Sequence, residues 1–238
     1  MLRLPSATAE VWWARRSDAA ARFETLLDEA ERERLSAYRR DEDRERFLVG
    51  CALAKAAAAA YTGEPVDAVR LDRTCDACGK PHGKPRLAGS ELELSVTHSG
   101  ELVGVAFAAG RPVGLDVEQL TERARATELE GLVLSDGESA ALARLGPLDR
   151  ERAFLVAWTR KEALTKATGA GLRLPMRDVV VSPAAEPPRL VGWPWPAPPQ
   201  TVALFDLEVE AGYVAALAAL GECRSVETRD GSTLLAGT

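Results

Sequence analysis

Apolar positions first recur with a helical period. From about Arg22 to Tyr38, Phe23, Leu26, Leu27, Leu35 and Tyr38 stand among many charges, which predicts a helix. A second helix is predicted from about Glu42 to Tyr61, stopped by Gly63 with Pro65 beyond it. Residues 72–90 are dense in Gly, Pro and Asp and read as a loop. The period then becomes strand-like over Leu92–Val96 and Leu102–Ala108, on either side of Thr97-His98-Ser99-Gly100, and again over Val113–Val117. Ser135 and Glu138 form a capping box that opens a short helix to about Leu145. A long helix from about Leu148 to Thr168 closes on Gly169 and Gly171. Val179–Val181, Thr201–Glu210 and Tyr213–Leu220 read as strands. Half of the 14 prolines lie between Pro183 and Pro199, an irregular loop, and the polar tail after Gly221 is expected to fray.

The pattern repeats itself. Phe47-Leu48-Val49 opens a helix ending at Gly63, and Phe154-Leu155-Val156 opens one ending at Gly169. Val103 to Gly110 resembles Val214 to Gly221 in apolar pattern. Two copies of a helix-plus-strands unit explain both echoes, so the expected fold is α+β, built as two similar pseudo-symmetric halves, 1–110 and 111–238. A chain of 238 residues with 46% hydrophobic content can bury a core of its own. No apolar run approaches the roughly 20 residues of a membrane span, and Met1 to Arg16 lacks a signal-peptide pattern. A formal charge of −6 argues against a broad nucleic-acid surface. Four scattered cysteines make no disulfide framework, so a reduced, cytoplasmic protein is expected.

Of 30 basic residues only five are lysines, and only two histidines exist. The surviving lysines therefore draw notice. Lys166 lies four residues after Glu162 on one helix face; the plain reading is an exposed ion pair, the sharper one a carboxylate ligand beside a phosphate donor. Asp116 and Glu118 are two apart on a strand and emerge on the same side, where paired charges call for a cation such as Mg²⁺. Alone, that pair is more simply read as an exposed acidic strand face. Lys84 on the Gly83-Lys84-Pro85 turn and His98 between strands could both reach an anion.

Together these pieces resemble the paired signature of the 4′-phosphopantetheinyl transferases: Gly114-Leu-Asp116-Val-Glu118, then Trp158-x2-Lys161-Glu162-Ala-x2-Lys166-x2-Gly169-x-Gly171-Leu172. Gly83-Lys84-Pro85, Thr97-His98-Ser99 and Arg46-Phe-Leu-Val-Gly-x-Ala-Leu-x-Lys55 match the same family in the same order. The resemblance covers roughly residues 28–182 and is closest to the monomeric, two-half Sfp-type branch. It implies transfer of the phosphopantetheine arm of coenzyme A to a serine of an apo acyl or peptidyl carrier protein, with 3′,5′-ADP released. It implies Mg²⁺ held by Asp116, Glu118 and Glu162, with Glu162 also the candidate base and Lys166 a phosphate contact. It further implies coenzyme A contacts from Arg46, Lys84, Pro85, Thr97 and His98, so that 1–110 binds coenzyme A and 111–238 is catalytic. Fatty-acid, polyketide and nonribosomal-peptide carriers all fit this branch, polyketide or nonribosomal-peptide biosynthesis being the expected setting. Lys161 lies about 100° round the helix from Glu162, which leaves its role open. Two departures stand out: the expected basic stretch ahead of the second helix runs through Arg32, Glu33 and Arg34, and Thr97 replaces a common serine.

The rival readings are another metal-dependent phosphoryl-transfer enzyme on the same three carboxylates, or a coenzyme A or carrier-binding module without chemistry. The first gives no reason for Lys84 and His98; the intact acid and lysine set argues against the second. Cys75-x2-Cys78 with His82 could bind Zn²⁺, but no fourth ligand is evident in sequence, and a reduced loop-stabilising pair is the favoured reading. Trp12, Trp13 and Trp158 are expected as core anchors, and Trp193 and Trp195 as an edge cap.

Overall fold

The computed structural model describes residues 1–120, 125–194 and 201–238. In chain order the elements are β1 (Thr8–Arg15), α1 (Glu29–Ala37), α2 (Asp41–Thr62), β2 (Leu71–Asp72), β3 (Arg86–Leu87), β4 (Leu92–Ser99) and β5 (Leu102–Ala109). There follow β6 (Val113–Gln119), α3 (Arg125–Val133), α4 (Asp136–Leu142), α5 (Pro147–Thr168), β7 (Val180–Val181), β8 (Leu190–Gly192), β9 (Val202–Leu207), β10 (Tyr213–Leu220), β11 (Ser225–Asp230) and α6 (Gly231–Ala236). The chain divides at Arg111/Pro112, but not into two continuous stretches: Ser225–Thr238 belongs to the first unit.

In the first unit six strands run β11-β1-β5-β4-β3-β2, antiparallel except for the parallel β1–β11 pair. The buried helix α2 packs its Ala-rich run on this sheet; Gly50 lies where an added Cβ would touch Val96 and Val103. Gly63, at φ 79, caps α2 in the left-handed conformation that the sequence predicts for a terminal glycine. The tail does not fray: Thr8 to Trp13 pair in register with Ser225 to Asp230. The helix expected over 22–38 is broken in two, because Asp28 and Glu31 form a capping box that starts α1 afresh.

The second unit has a three-stranded antiparallel sheet, β6-β10-β9, a short β7–β8 ribbon, and the long helix α5 laid along the sheet. Pro147 occupies the first turn of α5 and Gly169, at φ 68, ends it. Among the described residues both units are therefore mixed helix and sheet, each with one long helix against its sheet. Trp12 is buried and Trp158 packs beside Phe154, as core anchors should. Trp193 packs on the second core; Trp195 lies outside the described residues.

Candidate active site

The acid face belongs to the second unit. Strand alternation puts Gly114, Asp116 and Glu118 on one side of β6, and α5 lies over that side. A Cβ on Gly114 would sit 1.9 Å from the Ala163 carbonyl oxygen and 2.4 Å from the Ala167 amide nitrogen. Only glycine admits the helix this close. The two touching residues directly follow Glu162 and Lys166, so the close approach is what brings those side chains to Asp116. Lys166 Nζ donates to Asp116 Oδ1 at 2.7 Å and to the Leu115 carbonyl at 3.0 Å. Asp116 is buried; Glu118, two residues on along the same face, is half-buried.

Charge is unwelcome at Glu162. Burial pushes its carboxyl above the ordinary carboxylate range, the Asp116 charge pushes it further, and Lys166 only partly opposes them. Two carboxylates that disfavour each other's charge, with a lysine beside them, make a site that gains from a cation.

The two residues before Glu162 point elsewhere. Lys161 is fully buried and donates to the Val133 and Met176 carbonyls and to Glu138, the capping-box glutamate of α4. Burial lowers its pKa and Glu138 opposes that. Arg160, also fully buried, pairs bidentately with Asp206 and donates to the carbonyls of Ser182, Pro183 and Glu186, pinning the start of the proline-rich loop. Lys161 is thus a strut and not a phosphate contact. Lys55 is a strut of the same kind, fully buried and donating to Glu31 at 2.5 Å and to the Leu26 carbonyl. Scarcity in composition does not separate a buried lysine from a ligand-facing one. Sequence reasoning also gave Gly114 and Arg160 no role; three consecutive charges on a helix signal that not all can face one site.

In the first unit, Arg46 sits in the early turns of α2, its Nη1 3.2 Å from Asp43 and its Nε buried with no hydrogen-bond partner among the described residues. One helical turn later Gly50 rests on Val96 and Val103, and Val103 is the register partner of His98. Arg46 and His98 are thus associated with the same stretch of sheet. Thr97 and His98 point to opposite faces of β4: Thr97 is buried and His98 exposed, so their side chains do not converge. Lys84 Nζ donates to Glu93 at 2.8 Å; burial lowers its pKa and Glu93 opposes that. Pro85 beside it is buried.

A long helix pressed on a strand face that carries carboxylates, with a third carboxylate and a lysine from the helix, defines an α+β protein suited to a divalent cation and a phosphate-bearing substrate. Comparison with known proteins gives the family. Residues 112–218 match the family model of the 4′-phosphopantetheinyl transferase superfamily, and residues 11–110 match that of the 4′-phosphopantetheinyl transferase N-terminal domain. The chain is 30% identical to the 4′-phosphopantetheinyl transferase HetI of Nostoc sp. over 76% of its length and 73% of HetI. It is 35% identical to the 4′-phosphopantetheinyl transferase AcpT of Salmonella typhimurium over 37% of its length and 46% of AcpT. It is 26% identical to a 4′-phosphopantetheinyl transferase of Bacillus subtilis over 65% of its length and 66% of that protein. The chain belongs to the 4′-phosphopantetheinyl transferase family.

Proposed function

We propose that this protein transfers the 4′-phosphopantetheine group of coenzyme A to a serine hydroxyl of an apo acyl or peptidyl carrier protein, releasing 3′,5′-ADP. Family membership supports the reaction. The observation that carries its assignment to particular residues is the convergence of Asp116, Glu162 and Lys166 on one strand face.

The donor set fits Mg²⁺: hard carboxylate oxygens from Asp116, Glu118 and Glu162, two of which raise each other's cost of ionisation. When bound, Mg²⁺ neutralises charge on the phosphoryl oxygens and aligns the displacement. The remaining roles fall to the chain. Glu162 accepts the serine hydroxyl proton as the serine Oγ–phosphorus bond forms and the bond from phosphorus to the departing ADP oxygen breaks. Lys166, held at the acid face by Asp116, offers its ammonium to a phosphate oxygen. Arg46, Lys84, Pro85 and His98 bind coenzyme A from residues 1–110, and Thr97, its side chain buried on the other face, contributes through its backbone; the buried Arg46 Nε, without a hydrogen-bond partner among the described residues, is suited to an anion. Residues 111–238 supply the metal and catalytic groups.

Both halves lie in one chain, which supports a monomer, and four cysteines that form no disulfide support the cytoplasm. No helix among the described residues is long and apolar enough to cross a membrane. The test incubates the protein with coenzyme A, Mg²⁺ and apo carriers of fatty-acid, polyketide and nonribosomal-peptide type, and follows carrier mass. A phosphopantetheine-sized gain on at least one carrier is expected, abolished by Asp116→Ala and by chelation; no gain on any of them overturns the proposal.

A further inference from the structure

The loop before Lys84 contains a second candidate metal site, on chemistry unlike the acid face. The Sγ atoms of Cys75 and Cys78 and a ring nitrogen of His82 all lie within 4.8 Å of one another. Cys78 Sγ is 2.9 Å from His82 Nε2. We propose that Cys75, Cys78 and His82 bind a Zn²⁺ ion that fixes the loop carrying Lys84 and Pro85. Two thiolates and an imidazole are the soft and borderline donors that zinc takes, whereas Mg²⁺ takes oxygen.

The backbone is shaped around these three atoms. The Cys75 amide donates to the Lys80 carbonyl at 2.9 Å, and the Gly79 amide returns to the Cys75 carbonyl at 2.8 Å. Gly79, at φ 71, makes the reversal straight after Cys78 that a side chain would resist. The Gly83 amide then donates to the Arg73 carbonyl at 2.6 Å, and a Cβ at Gly83 would lie 2.7 Å from the Thr74 carbonyl oxygen. The chain therefore enters and leaves the cluster side by side, bringing a Cys-x2-Cys turn and a histidine to one point.

A hydrophobic core does not account for this order. Cys75 is only half-buried, and Cys78 and His82 are exposed. Neither does a redox dithiol, since such motifs open a helix and this stretch is turns. Ion binding converts the two thiols to thiolates, releasing two protons to solvent, with no change of oxidation state. Three protein ligands leave the fourth tetrahedral position to water, which exposure on this side permits. The following residues tie the site to the sheet: Lys84 reaches Glu93 of β4, and Arg86 of β3 pairs with Asp76 between the two cysteines.

The test uses the full chain, freed of any histidine tag and purified without chelators. Elemental analysis is expected to find stoichiometric zinc. Cobalt exchanged into the site should show thiolate-to-metal charge transfer and the visible bands of tetrahedral coordination. Cys75→Ser and Cys78→Ser should each abolish both signals, and His82→Ala should weaken zinc retention by at least about tenfold, while Cys51→Ser and Asp116→Ala leave zinc content unchanged. Absence of zinc from the wild-type protein together with no cobalt–thiolate band overturns the site, as does a Cys75–Cys78 disulfide in protein kept under thiol reductant. Zinc retained by the double cysteine variant overturns it equally. Because zinc content and the cobalt spectrum are first read on the unmutated chain, a negative result there overturns the site however the variants fold and whatever becomes of the transfer reaction.

Discussion

Glu162 is a carboxylate whose surroundings oppose its charge, and that opposition gives a signed expectation. Its raised pKa means the folded protein binds more protons than the unfolded chain between the ordinary carboxylate value and the raised one. Its ionisation therefore costs no stability below the ordinary value, and costs progressively more as pH rises to the raised value. Glu162→Gln removes that cost. The metal-free variant is expected to match wild type near pH 4 and to melt higher at pH 7, while transfer falls by on the order of 100-fold or more. Added Mg²⁺ should raise the melting temperature of wild type and not of the variant. Thermal melts at both pH values, with and without the metal, check it. The neighbouring Lys161 gives the opposite pattern. Lys161→Met leaves the largely shielded Glu138 without its cation and the Val133 and Met176 carbonyls without their donor, which should cost about 2–4 kcal/mol in urea unfolding. Two adjacent charges on one helix turn thus separate into a residue that trades stability for chemistry and one that supplies stability alone.

At the scale of elements, the helix–strand contact decides the site. Gly114→Ala places a methyl group where the backbone of α5 now runs, and backbone cannot rotate aside. The helix must shift, and a displacement of about 1 Å at Glu162 and Lys166 can cost on the order of 100-fold in turnover. Steady-state kinetics should show that loss in kcat, with circular dichroism reporting an intact helix and a stability decrease of about 1–3 kcal/mol. The helices α2 and α5 were legible because their glycine stops and apolar runs act locally. The strands β1 and β11 were not. Central β1 is buried on both faces, even at Glu10, so no alternation marks it. β11 reads Ser-Val-Glu-Thr-Arg-Asp, the charged composition of an edge strand, and its partner lies over two hundred residues away, where no local pattern reaches. The acid face was legible as residue types at a spacing, but the closeness that makes it a site rests on a missing side chain at Gly114.

Over the whole molecule, the weak repeat in sequence becomes a shared construction. In each unit a fully buried lysine of the long helix bonds the glutamate of a capping box and a carbonyl just before it: Lys55 with Glu31 and Leu26, Lys161 with Glu138 and Val133. The devices recur at a near-constant interval along the chain. On the same interval Asp116 and Glu118 of β6 correspond to Glu10 and Trp12 of β1. There the pattern diverges. Glu10 is fully buried and is paired by Arg229, with the Tyr61 hydroxyl also donating to it, while Trp12 occupies the place of the second carboxylate. The first unit thus closes with Arg229 what, on the proposed function, the second keeps for a divalent ion beside Lys166. Arg229 arrives on β11, so the returning tail is what neutralises this position. Arg229→Met should then destabilise the protein by about 2–3 kcal/mol, below the full cost of stranding a buried charge because Arg229 is itself about one-third exposed. Adding Glu10→Gln should recover most of that loss, because the amide needs no counter-charge and can keep the Tyr61 bond. Urea unfolding of the two single variants and the double variant measures the coupling. Additive losses would mean that Arg229 acts only through its packing on Trp12, and recovery would show that the charge it brings from the tail is what the first unit requires.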